Sequence, residues 1–377
     1  MLKISAAEFA KIVAGQLHEI SESTMIDQAP VINSKSATKD SFFVAFKGEQ
    51  VDGHNFVTEA INLGAKFALV SKPVAEPHVL VADTGKALID LAIYLRSKLP
   101  ELKIVGITGS QGKTTTKEFL HSILKLDGET VATAGNFNTD IGVPLTLLRC
   151  NEQTKFCILE MGARHSGDIA KLTKMTKPNV GVVLVVGTAH IGEFGSVEAI
   201  AKTKAELIIN LPASSTAVLG SYDIYTPKMA DSLQVQKVLF GDSQNVRAAD
   251  LEMHGGYAHF DLVTPSGRNS VSLQVIGEQQ IPNALAAASA AFALNISNEK
   301  IATGLTLAKL DSKWRMQIED LNGIQIINDF YNANPESMKA ALNTLVLLSE
   351  ESGGSSWAIL GKMHELGQIE QASHLEI

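Results

Sequence analysis

The sequence predicts an α/β fold built on a mostly parallel sheet with helices on both faces. Three observations carry that prediction. Apolar runs of strand length alternate with helical patterns through the middle of the chain. One run, Ile104-Val105-Gly106-Ile107, passes through a small-residue turn, Thr108-Gly109-Ser110-Gln111-Gly112, into a helical pattern opened by Lys113 and three threonines. Glu160 and His190 follow the ends of two other runs, at the edge where open α/β sheets bind ligands.

Length and composition set the bounds. A chain of 377 residues exceeds one average domain, so two or three are expected. Hydrophobic residues at 45% against 19% charged describe a globular protein with ample core. The net charge of −8 excludes broad binding to nucleic acid or anionic membranes, so an anionic substrate would need local basic groups such as Lys113. Two cysteines, Cys150 and Cys157, make no disulfide framework and read as cytosolic thiols. The start, MLKISAAEFAKIVAG, reads as a short amphipathic helix and not a signal peptide. No apolar run reaches the ~18 residues of a membrane span.

In chain order, 1–82 is expected to be a small α/β unit. Ser41 to Phe46 and Ala65 to Val70 read as strands, and Phe56 to Leu63 as a helix after the turn Asp52-Gly53-His54. His54 reads as a turn or capping residue before it reads as a catalyst. A linker at Lys72 to Pro77 and a helix from Ala87 to Leu99 lead into the glycine loop. The central unit, 83–311, continues with strands at Phe156 to Leu159, Val180 to Val186, Ala217 to Leu219 and Lys237 to Phe240. An alanine-rich helix, Ala284 to Leu294, follows Asn283, which either caps it or contacts a ligand. From Asp311 the pattern restarts, with strands at Ile324 to Asn328 and Trp357 to Leu360. The last unit, 312–377, is shorter than a usual α/β domain and is expected to be incomplete.

Strand, glycine loop and helix start together make a phosphate cradle: inward N–H groups, the helix dipole and Lys113 all favour an anion. The following Thr114 is placed to hold Mg²⁺. The match to G-x-x-x-x-G-K-[ST] is not strict, since the first glycine would fall at Ile107. Glu160, one strand over, is a candidate for the same ion; otherwise it is a cap or surface charge. His190, in a glycine-rich turn, is either structural or part of the site.

The helix after His190 carries an anomaly. Apolar residues recur at Val197, Ile200, Ala201, Ile208 and Leu211, a helical stripe whose remaining position is Lys204. Lys202 lies on the opposite face with Glu198 and Glu206 four residues either side, a solvated charge cluster. Lys204 either snorkels to the surface or is a desolvated lysine with a lowered pKa. In the second case its neutral amine can add CO₂ to become a carbamate.

These residues resemble the Mur ligases, the ATP-dependent amide-forming enzymes of peptidoglycan precursor synthesis, over nearly the whole chain. TGSQGKTT is similar to the family's ATP loop, LEMGARHSGDI (Leu159 to Ile169) to its metal-glutamate segment, and AHIGEFGS (Ala189 to Ser196) to its metal-histidine segment. AKTKAEL places Lys204 on the family's carbamylated lysine. Within the family, GNFNTDIGVPLTLL (Gly135 to Leu148), DFYNANP (Asp329 to Pro335) and FFVAFKGEQVDGHNF are similar to the member acting on UDP-N-acetylmuramoyl-tripeptide and D-alanyl-D-alanine.

The resemblance implies a three-domain Mur ligase architecture: a UDP-substrate domain, a central ATPase domain and a C-terminal Rossmann-like domain. It implies ATP held by Thr108, Gly109, Ser110, Gln111, Gly112, Lys113 and Thr114, with Asn283, Arg315 and Asp329 on the nucleotide. It also implies Mg²⁺ held by Thr114, Glu160, His190 and Lys204, catalytic roles for Lys113, His190 and Lys204, and a cytoplasmic monomer. Departures from the family pattern stand at Asn33-Ser34-Lys35, Thr139, Gln279-Gln280 and Asn328. The alternatives are another Mur-type or folylpolyglutamate-type ligase, a different P-loop phosphotransferase, and a nucleotide-binding but inactive chain.

Overall fold

The structure, a computed structural model, describes residues 1–377. It divides into two compact units, 1–102 with 131–159, and 103–130 with 160–377.

In the first unit, five strands stand in the order Gln16–His18, His78–Leu80, Phe67–Val70, Phe42–Val44, Pro30–Val31. The first pair is antiparallel and the other three pairs are parallel. The short N-terminal helix, Ala6–Ile12, is capped by Ser5, whose side chain accepts from Glu8 N–H. It seats Phe9 edge-on against Phe42 and Phe67, at centroid distances of 5.3 and 5.4 Å. All three rings are fully buried, which ties helix to sheet. His54 is buried in the turn before helix Val57–Asn62, bonded to Asp52 Oδ1 (2.6 Å) and accepting from Ser71 N–H (3.0 Å). That is a structural role.

In the second unit, four parallel strands stand in the order Gln236–Phe240, Thr216–Gly220, Val180–Val183, Lys103–Thr108. The last three are buried almost throughout, as strands covered on both faces are, whereas Gln236–Phe240 begins exposed. The glycine loop leaves the C-terminal end of Lys103–Thr108 and enters the helix Lys113–Leu124, here called the loop helix. The alanine-rich helix begins earlier than its composition suggests, at Gln280, and runs to Ala293. Asn283 therefore lies inside its first turn and caps nothing; its amide donates to the Gln279 carbonyl oxygen at 3.1 Å. Alanine on every face lets this helix approach its neighbours closely, and ten of its residues are buried.

Two features escape the sequence reading. Arg247–His254, Tyr257–Thr264 and Gly267–Ile276 form an antiparallel three-stranded sheet. Its signal was present: burial in Tyr257–Thr264 alternates residue by residue, with Ala258, Phe260 and Leu262 inward. Conversely, the strand expected at Trp357 to Leu360 does not form. Trp357 and Ile359 are 86% and 100% exposed. Apolar composition alone does not make a strand, since its backbone groups need a paired neighbour.

The last part of the chain holds a hairpin, Gln317–Leu321 and Ile324–Asn328, the helix Pro335–Ser352 and a short final helix, Glu370–Glu376. Pro335 at the helix start and reciprocal bonds between Asn334 and Ser337 fix where that helix begins.

The loop helix is set against helix Asn298–Thr306 at a position open only to glycine. A Cβ on Gly304 would lie 2.5 Å from Ile123 Cα and 3.0 Å from Ile123 N, backbone atoms that cannot swing aside. Gly304→Ala gains ~1 kcal/mol of helix propensity but overpacks at a cost of ~1–3 kcal/mol. The net expectation is a loss of up to ~2 kcal/mol, read as a lower urea midpoint with an unchanged m-value. A midpoint at or above that of the parent would contradict this packing.

Candidate active site

The loop is shaped by one left-handed residue. Gly112 has φ +81, and a Cβ there would collide with Asn283 Oδ1. Glycine is thus required twice, by conformation and by the close approach of the alanine-rich helix. Thr108 is buried at the strand end. Ser110 ties the loop to the next strand's turn: its N–H donates to Val185 O at 2.9 Å, and its hydroxyl accepts from Gly187 N–H at 2.8 Å. Gly109 is pressed against Leu184, while Gln111 sits half-buried.

Lys113 folds back over the loop and donates to Gly109 O at 2.8 Å. Desolvation lowers its pKa, the Glu160 carboxylate opposes that shift, and Arg315 adds to it. Thr114 Oγ1 donates to Glu160 Oε2 at 3.0 Å, and both residues are buried. A hydroxyl and a carboxylate oxygen side by side at the foot of a phosphate loop are a donor set that suits Mg²⁺.

Lys204 stands on helix Val197–Ile209, which Ser196 caps through Ala199 N–H. Part of its stem is accessible, but its ammonium is desolvated, and its pKa falls to about 7. Burial is the main cause and the Lys113 charge the second. Lys202 is exposed. The carboxylates expected around it are engaged elsewhere. Glu198 accepts from Tyr225 Oη at 2.8 Å. Glu206 takes Gly167 N–H and Ala170 N–H, at 2.7 and 3.0 Å, and so caps helix Asp168–Thr176. Tertiary donors out-compete an exposed pair of little energy.

His190 takes a left-handed conformation, φ +64, and its Nδ1 is bound by the Glu365 carboxylate. No group of three or more His, Cys, Asp or Glu side chains converges as a metal cluster. Arg315 stacks 4.2 Å over the Tyr331 ring. Asp329 accepts from Met316 N–H at 3.1 Å, and burial raises its pKa to about 6 against that bond and the pull of Arg315. The electrostatic neighbourhood of Lys113 thus contains Glu160, Lys204 and Arg315, drawn from three separate parts of the chain. Sequence reasoning missed Glu336, whose carboxylate grips Thr188 beside the loop. A glutamate just after a proline, in the first turn of a helix, carries no local signal of that contact.

Three family descriptions match the chain: "Mur ligase family, catalytic domain" at 31–93, "Mur ligase middle domain" at 107–291, and "Mur ligase, glutamate ligase domain" at 314–377. The middle-domain match spans the phosphate loop, Glu160, His190, Lys204 and Asn283. The chain belongs to the Mur ligase family. The UDP-N-acetylmuramoyl-tripeptide–D-alanyl-D-alanine ligase of Mycobacterium tuberculosis is 36% identical over 407 residues, covering 99% of this chain and 80% of that protein. MurF from Acinetobacter baumannii superposes with a TM-score of 0.89 at 35% identity, covering 99% of this chain and 82% of that one. MurF ligase from Thermotoga maritima, solved in complex with ADP, gives a TM-score of 0.77 at 29% identity, with coverage of 93% and 81%.

The lowered pKa of Lys204 has a signature in the ligand-free Mur ligase. Between pH 7 and 10.5 its amine is largely neutral when folded but charged when unfolded, so unfolding takes up as much as about one proton. The penalty for a buried charge is full below pH 7 and is relieved as pH rises. Lys204→Met should therefore stabilise the protein most at pH 6, with an advantage that shrinks towards pH 10. Urea titrations of both proteins in CO₂-free buffer check this, and a pH-independent difference would count against the desolvated amine.

Proposed function

We propose that this Mur ligase is an ATP-dependent, ADP-forming enzyme that joins D-alanyl-D-alanine to UDP-N-acetylmuramoyl-tripeptide in peptidoglycan precursor synthesis. The observation that carries this reading is the Lys113–Thr114–Glu160 arrangement at the phosphate loop with the desolvated Lys204 close to Lys113. The ADP complex of the Thermotoga maritima relative supports ATP as the nucleotide. The substrates are those in the name of the Mycobacterium tuberculosis relative.

The reaction has two steps. A carboxylate oxygen of the tripeptide attacks the ATP γ-phosphorus, the bond to ADP breaks, and an acyl phosphate forms. The amine of D-alanyl-D-alanine then attacks the acyl carbon, passes through a tetrahedral intermediate, loses a proton and expels phosphate. Positioning and charge neutralisation dominate such chemistry. The loop N–H groups and Lys113 orient the β/γ-phosphates. The neutral Lys204 amine adds CO₂ and releases a proton, giving an anionic carbamate oxygen. Thr114 and Glu160 would hold one Mg²⁺, and His190, released from Glu365, would hold a second with that carbamate. The bound ions would supply neutralisation of phosphoryl and carboxylate charge. Arg315 and Asp329 reach the nucleotide, and Asn283 backs the loop.

The functional domains in this reading are 1–82 for the UDP-substrate, 83–311 for ATP and 312–377 for the C-terminal part. A cytoplasmic monomer is part of this reading; no helix is long and apolar enough to cross a membrane, and both cysteines are free and buried.

The direct test is ADP formation with a panel of UDP-peptides and amine acceptors. Release should require D-alanyl-D-alanine, and strict dependence on a single amino acid instead would overturn the acceptor assignment. Lys113→Ala should lower kcat/KM by ~10²–10³ with the fold intact.

Lys204→Ala should be comparably impaired and partly rescued by acetate, which can fill the vacated ligand position. Lys202→Ala removes an exposed charge worth under ~1 kcal/mol and should stay within about twofold of the parent. A dead Lys202→Ala beside an active Lys204→Ala would sink the carbamate assignment.

A further inference from the structure

The carboxylate of Glu336 is held without a cation. It projects from the first turn of helix Pro335–Ser352. Its Oε1 accepts from the Thr188 backbone N–H at 3.0 Å and from Thr188 Oγ1 at 2.8 Å; Oε2 accepts from the same hydroxyl at 3.0 Å. Two neutral donors of one residue thus converge on an anion.

The place where they converge matters. Thr188 follows strand Val180–Val183 at its C-terminal end, next to the phosphate loop. Gly187, one residue earlier, donates its N–H to Ser110 Oγ of that loop at 2.8 Å. A Cβ on Gly187 would stand 3.2 Å from Glu336 Oε1, tighter than ordinary contact, so the missing side chain leaves the oxygen its approach. Beyond the loop lies the cationic neighbourhood of Lys113, Lys204 and Arg315. A backbone N–H and a hydroxyl, pre-aligned beside a phosphate loop, form a receptor for an anionic oxygen. Helix capping does not require this contact, because Asn334 and Ser337 already satisfy the helix start.

Resting on the nucleotide site proposed above, we propose that Thr188 N–H and Oγ1 form a subsite for an anionic oxygen of the reacting substrates, and that Glu336 fills it until a substrate displaces it. The oxygen is either a γ-phosphoryl oxygen of the nucleotide or a carboxylate oxygen of the acyl substrate. Glu336 acts as an internal competitor, and apparent affinity is reduced by the fraction of molecules in which the subsite is filled.

Calorimetry on the full chain, with Mg²⁺ and three probes, tests this. The probes are ADP, the non-hydrolysable ATP analogue with an imido β–γ bridge, and UDP-N-acetylmuramoyl-tripeptide. Glu336→Ala should bind one of the last two ~3–10-fold more tightly while ADP affinity stays within about twofold. A gain for the triphosphate analogue assigns the subsite to the γ-phosphoryl group; a gain for the UDP-peptide assigns it to the carboxylate. Thr188→Val should weaken that same ligand and cancel the gain in the double variant. Glu336→Gln keeps the size and removes the charge, should move in the same direction, and carries the test if the alanine variant fails to fold. Unchanged or weaker binding of both ligands, with ADP still bound, reduces Glu336 to an anchor for its helix and overturns the proposal. Failure of the parent chain to bind ADP would remove the nucleotide site itself, and this subsite with it.

Discussion

At Gly112 the backbone turns left-handed immediately before the loop helix, and the Asn283 side chain occupies the space a Cβ would need. The ligand edge of the second unit depends on that contact. It sets the loop against the alanine-rich helix just where the loop helix begins. With the loop fixed, Lys113 can close back onto Gly109 O and Thr114 can meet Glu160. An open, mobile loop would have to be ordered by the ligand, at the expense of affinity.

Charge is the second theme. The chain carries a net charge of −8, yet Lys113 has two cations, Lys204 and Arg315, in its surroundings beside the carboxylate of Glu160. Desolvation disfavours the protonated forms of Lys113 and Lys204, and a neighbouring like charge adds to this in each case. The protein tolerates the arrangement because a polyanionic ligand would relieve it. The same surroundings that cost stability bring the Lys204 pKa down to about 7.

The turn after strand Val180–Val183 is where the last part of the chain meets this edge. Glu336 holds Thr188, and Glu365 holds His190 and accepts Gly192 N–H through its carbonyl oxygen. His190 and Glu365 both sit at positive φ, +64 and +61, conformations that non-glycine residues hold only when surrounding contacts over-determine them. Two carboxylates from the last part of the chain thus hold one short turn beside the phosphate loop.

The sequence by itself determined the α/β class, the phosphate loop and the odd position of Lys204. Each of these is a local pattern: apolar runs of strand length, a glycine turn between strand and helix, a lysine in an apolar stripe. Alternation also marks Tyr257–Thr264 as a strand, though not its neighbour Arg247–His254. Tertiary structure alone decided the rest. It placed Asn283 against Gly112 and not at a helix cap, turned Glu206 into the cap of another helix, gave His190 to Glu365, and left Trp357 to Leu360 without a strand partner. The reason is physical. Propensity and periodicity are set by neighbours within a few residues, whereas the partner of a side chain or a strand edge is chosen by segments up to 194 positions away, whose approach no local pattern encodes.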